Sequence, residues 1–316
     1  MQLVHDQVPT RPAPAVSAAP DAPGWVAAAV HDAGARFVPV GPQTQGLLWF
    51  GPLGASGLGE VLSAAPHIRW VQLPSAGVDA YLRAGLVDDR ITWTSAKGAF
   101  AEPVAEHALA LTLAALRRLP ERARARSWGA EAGLSLYDAD VLLVGAGGIA
   151  RALLELLAPF RTRTVVVRRR ADPVAGADRV VTTEHLTEEL GQADVVVLAA
   201  ALTDRTRALL GAPELAAMKP GATLVNIARG ALVDTDALVE LLSTGHLGAA
   251  ALDVTDPEPL PAGHPLWDLP NALITPHTAD TPEMVDPLLR ERVTANLRAF
   301  VTGEPLSGVV DVRAGY

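Results

Sequence analysis

The stretch Val141–Ala150, VLLVGAGGIA, decides how this chain is read. Its apolar half reads as a buried strand. The strand runs into Gly145-Ala146-Gly147-Gly148-Ile149-Ala150, a G-x-G-x-x-A turn, and then into the helical pattern ARALLELLAPF. Strand, glycine turn and helix start in that order make a dinucleotide-binding fingerprint. Gly145 allows the tight turn, Gly147 lets the backbone approach a pyrophosphate, and small Ala150 lets helix and strand pack closely. The N–H groups of the helix start, around Gly148 and Ile149, and its positive dipole end then hold the phosphates.

Working outward, both flanks alternate helix and strand. Upstream, Trp25–Ala35 and Gly57–Ala65 read as helices, and Phe37–Val40, Gly46–Phe50 and Ile68–Leu73 as strands. That alternation implies a parallel sheet before the fingerprint begins, and hence a separate domain. Arg11–Pro23, rich in Pro and Ala, reads as a loose lead-in. Pro103–Leu116 is helical and apolar on most of its circumference, which predicts burial between domains or against another subunit. Downstream, strands are expected at Thr164–Val167, Asp194–Ala199, Ala222–Ile227, Ala249–Leu252 and Ala272–Ile274, and a long helix at Pro282–Val301. The fold class is therefore α/β, with two Rossmann-like parallel-sheet domains. Residues 1–101 with 284–316 form one, and 102–283 the other.

Bulk properties narrow the function. The chain has 316 residues, enough for two ordinary cores. Its net charge of -9 gives no electrostatic support to nucleic-acid binding. The chain has no cysteine, which excludes disulfides and thiolate metal sites and fits a reducing compartment. No metal site is expected. MQLVHDQVPTRPAPAV lacks the basic and apolar regions of a signal peptide, and no apolar run reaches membrane-spanning length. A soluble cytoplasmic protein is expected. The only lysines, Lys97 and Lys219, read as compositional drift.

Candidate chemistry follows the ends of successive strands, where open α/β sheets bind ligands. Arg229, Asp253, Glu258 and His277 stand there, a set able to bind an anion and to carry and tune a proton. The segments that hold them, LVNIARGALVDTDALVELL, GAALDVTDPEPLP and HPLWDLPNALITPH, together with GAGGIA, VQLPSAGVDAYL and EPVAEHALALTLAALRRLP, resemble the D-isomer-specific 2-hydroxyacid dehydrogenases. The likeness covers nearly all of the chain after about residue 45.

The resemblance implies a flavodoxin-like substrate domain with an inserted NAD(P)-binding domain, and reduction of a 2-oxo acid to the D-2-hydroxy acid. His277 matches the general acid/base, and imidazole is the side chain suited to that task near neutrality. Glu258 matches its carboxylate partner, which fixes the ring nitrogen facing substrate. Arg229 matches the clamp on the substrate carboxylate, a fork that lysine would not reproduce. Asp253 matches the residue beside the nicotinamide carboxamide, and Ile227 joins the cofactor-contacting positions. Ser75-Ala76-Gly77 matches the turn whose backbone N–H groups receive the carboxylate. The family also implies a homodimer. Among small 2-oxo acids, glyoxylate or hydroxypyruvate leads.

The cofactor reading comes from the second strand of the fingerprint. An NAD enzyme usually ends it with an acidic residue roughly twenty positions past the first glycine. Here the position is Arg168, followed by Arg169 and Arg170, and guanidinium groups suit a 2′-phosphate. NADP is therefore expected as preferred cofactor, with NAD possible through other contacts. Ala201 replaces a usual proline, which predicts a freer backbone there. His107, on an apolar helix, is assigned to packing, His264 to loop ordering, and Trp49 either to the substrate mouth or to the core. The rival readings are a catalytically silent cofactor-sensing regulator on the same fold, or a formate- or phosphoglycerate-type dehydrogenase. The absence of an added regulatory domain after Val301 disfavours the allosteric phosphoglycerate type.

Overall fold

The computed structural model describes residues 12–51 and 56–316. The N-terminal stretch read for a signal peptide lies largely outside them. The chain divides into two compact units. One takes in residues up to Ala96 together with Pro287–Gly315, and the other Lys97–Asp286 with Tyr316.

The first unit contains β1 (Ala15–Ala19), α1 (Val26–Asp32), β2 (Arg36–Phe37), β3 (Gly46–Trp49), α2 (Leu58–Ala64), β4 (Trp70–Gln72), α3 (Asp79–Arg83) and β5 (Thr92–Thr94). Its strands are all parallel in the order β2-β1-β3-β4-β5, the flavodoxin-like order. Each face of the sheet carries its own core. Leu47, Trp49, Val71, Leu73 and Trp93 pack on one side, and Val16, Leu48, Trp70, Val293 and Leu297 on the other. Trp49 is thus a core residue rather than the rim of a substrate mouth.

The lead-in at Arg11–Pro23 is corrected. It contains β1, which pairs with both β2 and β3 and is mostly buried. The composition misleads for a physical reason. Pro14 and Pro20 bound the strand instead of interrupting it, and small residues suffice where both neighbouring strands are close. Buried Ser17 keeps its hydroxyl satisfied against Thr44 Oγ1 at 2.8 Å.

The second unit contains α4 (Ala101–Leu116), α5 (Leu119–Arg124), β6 (Asp140–Val144), α6 (Gly148–Leu157), β7 (Arg163–Arg168), β8 (Arg179–Thr182), α7 (Leu186–Leu190), β9 (Val195–Leu198), α8 (Ala212–Ala217), β10 (Thr223–Asn226), α9 (Thr235–Ser243), β11 (Ala249–Leu252) and β12 (Ala272–Ile274). The order is β12-β11-β10-β9-β6-β7-β8, all parallel. Counted from β6, this is the 3-2-1-4-5-6 order of a dinucleotide-binding sheet with β12 added at one edge. The strand order reverses between β6 and β9, whose last residues, Val144 and Leu198, pair directly. The last helix, α10 (Pro282–Thr302), contains the boundary between the units, at Asp286/Pro287.

Strands β9, β10 and β11 are wholly buried, which explains their unbroken apolar runs. Helix α4 finds its apolar partners within its own unit. Val104, Ala108, Leu111 and Ala115 are buried where the helix packs on α6, β10 and β11. No described helix is long and apolar enough to cross a membrane.

Candidate active site

The fingerprint turn is built by two glycines with different duties. Gly145 follows β6 at φ +116°, and a Cβ there would stand 2.5 Å from the Ala199 carbonyl oxygen. Glycine is obligatory at that point because β6 and β9 are adjacent. Gly147, at the start of α6, has no protein atom within 4 Å of where a Cβ would stand. The protein itself would admit a Cβ there. A pyrophosphate lying on the N–H groups of Gly148 and Ile149 fits that opening. Gly148 in turn packs closely on Gly98 and Ala101.

At the end of β7, Arg168 is half-buried and Arg169 and Arg170 are exposed. At the end of β10, the buried Asn226 braces the turn that carries Arg229. Its amide nitrogen donates to the Arg229 carbonyl at 3.0 Å, and its oxygen accepts from Ala228 N at 3.0 Å. Ile227 is buried, and Arg229 Nη1 donates to the Ala228 carbonyl at 2.7 Å. Gly230 admits nothing larger, because a Cβ would stand 1.9 Å from the carbonyl carbon of Thr255.

Glu258 and His277 meet directly, Oε1 to Nδ1, at 2.6 Å. His277 holds φ +52°, a region that non-glycine residues rarely adopt. Its backbone N–H donates to the Asp253 carbonyl at 2.8 Å, which fixes the turn after β12.

Asp253 is the buried anchor beneath that turn. Its Oδ1 accepts from Thr275 Oγ1 at 2.6 Å and from Thr278 N at 2.9 Å, and its Oδ2 from Ala279 N at 3.1 Å. His107 Nε2 lies 3.1 Å from Thr275 Oγ1 and 3.3 Å from Asp253 Oδ1. The packing role assigned to His107 is therefore corrected: α4 turns this one polar side chain toward Asp253. Burial alone would raise the Asp253 carboxyl. The hydrogen bonds from His107, Thr275 and the two backbone N–H groups outweigh it and hold the carboxyl at about 2.

Asp280, three residues past His277, escaped the sequence reading. Its half-buried carboxyl is pushed up, chiefly by burial, with Asp253 adding to the rise and the charges of His277 and Arg229 opposing it. Thr275 and Asn226 were also missed, since a buried hydroxyl or amide has no sequence pattern of its own. Ser75-Ala76-Gly77 lies in the first unit, where Ser75 Oγ donates to the Gly77 carbonyl at 2.7 Å. The loop after β9 is not freed by Ala201, because Thr206 Oγ1 donates to the Ala201 carbonyl at 2.8 Å. His264 Nδ1 accepts from Leu266 N at 3.3 Å and orders its loop.

A family model, D-isomer specific 2-hydroxyacid dehydrogenase, NAD binding domain, matches residues 109–279, more than half of the chain. The chain belongs to the D-isomer-specific 2-hydroxyacid dehydrogenases. This dehydrogenase is 42% identical over 256 residues to a Corynebacterium melassecola protein known as "Uncharacterized protein in proB 3′region", covering 79% of this chain and 84% of that one. It is 32% identical over 257 residues to a glyoxylate reductase of Aeropyrum pernix, covering 78% and 77% of the two chains. Among solved structures it is similar to a D-isomer specific 2-hydroxyacid dehydrogenase from Xanthobacter autotrophicus Py2, in complex with NADPH and MES. That likeness has a TM-score of 0.83 at 27% identity, covering 96% of this chain and 100% of that one. The family makes the chain an NAD(P)-dependent oxidoreductase, with a cofactor-binding domain of the kind its fingerprint announces.

Proposed function

We propose that this dehydrogenase reduces a small 2-oxo acid of the glyoxylate or hydroxypyruvate type to the D-2-hydroxy acid, with NADPH preferred to NADH. The observation that carries the reading is the Glu258–His277 pair at 2.6 Å, on the loops that follow β11 and β12. When bound, the nicotinamide cofactor supplies the hydride.

The protein's own residues do the rest. Glu258 engages Nδ1 of His277 and so directs Nε2 toward the substrate. Nε2 delivers the proton that the carbonyl oxygen gains on reduction. Arg229 takes the substrate carboxylate by its planar fork and polarises the carbonyl. Ser75–Gly77, in the first unit, keep the role that the family resemblance gives them, backbone N–H groups for a carboxylate. Asp253 fixes the backbone beneath His277, besides its expected place beside the carboxamide. Gly145, Gly147, Gly148 and Ile149 seat the pyrophosphate, with Ile227 against the cofactor.

Arg168 and Arg169 favour the 2′-phosphate of NADP, since no acidic residue ends β7. The NADPH in the Xanthobacter structure and the glyoxylate of the Aeropyrum relative's name support the two finer choices.

The family's homodimer is part of the proposal. Trp128 is 95% exposed, and Leu119, Leu134 and Tyr137 are exposed in the same segment of chain, apolar surface suited to a second copy.

The test is oxidation of NADPH and NADH, side by side, against glyoxylate, hydroxypyruvate, pyruvate and bulkier 2-oxo acids, with His277→Ala as blank. Turnover that favours NADPH and disappears in the variant is expected. Tight cofactor binding without turnover on any acid would overturn the reading in favour of a cofactor sensor.

A further inference from the structure

The three arginines at the end of β7 are used differently. Arg168 Nη1 donates to the Asp172 carbonyl at 3.4 Å, and Arg170 pairs with the Asp172 carboxylate at 3.1 Å. Arg169 has no carboxylate partner among the described residues. Its guanidinium carbon lies over the ring of Tyr316, 4.9 Å from the centroid. Lys97 Nζ lies 4.5 Å from the same centroid. Lys97 also precedes Gly98, whose Cα would meet a Cβ on Gly148 at 3.1 Å. The ring therefore ties the neighbour of the glycine turn to the end of the second strand. In a dinucleotide-binding sheet the adenosine ribose is recognised between those two points.

Two cations gathered on one ring repel each other, and an anion that reached both would relieve the repulsion. A guanidinium stacked on an aromatic face keeps its N–H edge available, and that edge matches the oxygens of a phosphate. We infer that Tyr316 is a positioning residue for cofactor choice, its ring holding Arg169 and Lys97 ready for the 2′-phosphate of NADP. The inference rests on the NADP reading above and adds a residue whose side chain carries no charge. It also gives Lys97, set aside in the sequence as compositional drift, a place in recognition.

The test is calorimetric binding of 2′,5′-ADP and of ADP to the intact protein. The proteins compared are wild type, Tyr316→Ala, Tyr316→Phe, Arg169→Ala and the Tyr316→Ala/Arg169→Ala double variant. Loss of the ring is expected to weaken 2′,5′-ADP about fivefold, the scale of an exposed cation–ring contact, and to leave ADP unchanged. Phenylalanine restores the affinity, and in the Arg169→Ala background the loss caused by Tyr316→Ala shrinks. The KM for NADPH rises in Tyr316→Ala while kcat holds. Equal loss of both probes would reveal a merely structural role and overturn the inference, as would a Tyr316→Ala protein that keeps the wild-type preference. A wild type that binds both probes equally would remove the 2′-phosphate reading itself, and this inference with it.

Discussion

His277 Nδ1 stands 2.6 Å from Glu258 Oε1, and the residue bearing that ring sits at φ +52°. The imidazole is held from both ends, by a carboxylate at the ring and by an uncommon backbone conformation at the root. Backbone strain of this kind persists only where surrounding contacts over-determine it. Here those contacts include the His277 N–H to the Asp253 carbonyl. Removing the ring in His277→Ala should lower kcat about 10²–10⁴-fold while cofactor affinity holds. Glu258→Gln should cost less, because an amide can still engage Nδ1. Steady-state rates beside cofactor titration of the same proteins check both, and a His277→Ala enzyme with wild-type kcat refutes the assignment.

Gly145 and Gly147 should separate folding from cofactor binding. Gly145→Ala drives a Cβ against the Ala199 carbonyl and should cost about 2–4 kcal/mol of stability. Gly147→Ala adds a Cβ that meets open space in the protein and should leave the melting temperature nearly unchanged, yet weaken NADPH at least about tenfold. Thermal melts and calorimetry on both variants decide the matter. Equal melting losses would show that Gly147 serves the fold.

Asp253 is held at about 2 against an ordinary 3.8, so its folded form is the worse proton binder. Its contribution is then fully present above about pH 4 and is lost as the pH falls through about 2, a swing on the order of 2 kcal/mol. Asp253→Asn should be less stable than wild type at pH 7, and the gap should close between pH 4 and 2. Denaturant melts across that window provide the check; a gap independent of pH would mean that the charge is not what stabilises.

Asp280 carries the opposite sign. Its carboxyl is raised in the folded protein, so its ionisation above the ordinary carboxylate range opposes folding. Asp280→Asn should therefore be more stable than wild type near pH 7, with the advantage fading in acid. Removing a negative charge that acts on Arg229 and His277 should also lower the KM for an anionic 2-oxo acid, and this effect should shrink with added salt. An unchanged KM would place the carboxylate outside the substrate's field.

Where backbone need leaves a residue signature, the sequence was legible. The glycine turn and the buried strands β6, β9 and β10 belong to that class, whereas the Glu258–His277 pairing came from the family resemblance. A glycine pressed against Ala199 or a strand buried on both faces admits few residue types. Strand β1 was hidden because AVSAA between prolines looks like a linker, and only its partners β2 and β3 make it a strand. His107 was hidden for a related reason. It stands on an apolar helix, and its polar partners Asp253 and Thr275 lie far along the chain. Asp280 feels Asp253 and Arg229, and the ring of Tyr316 lies by Lys97 and Arg169, across stretches of chain that no local spacing connects.

The missing side chain at Gly230 has a practical reach. With Thr255 pressed against it, the backbone bearing Arg229 and the backbone leading to Glu258 leave no room between them for even a methyl group. Anyone grafting a new acid preference onto this scaffold must transplant 228–230 and 254–258 as a single part. Libraries that randomise one loop alone will disturb the proposed anion clamp and the proposed support of the proton donor together.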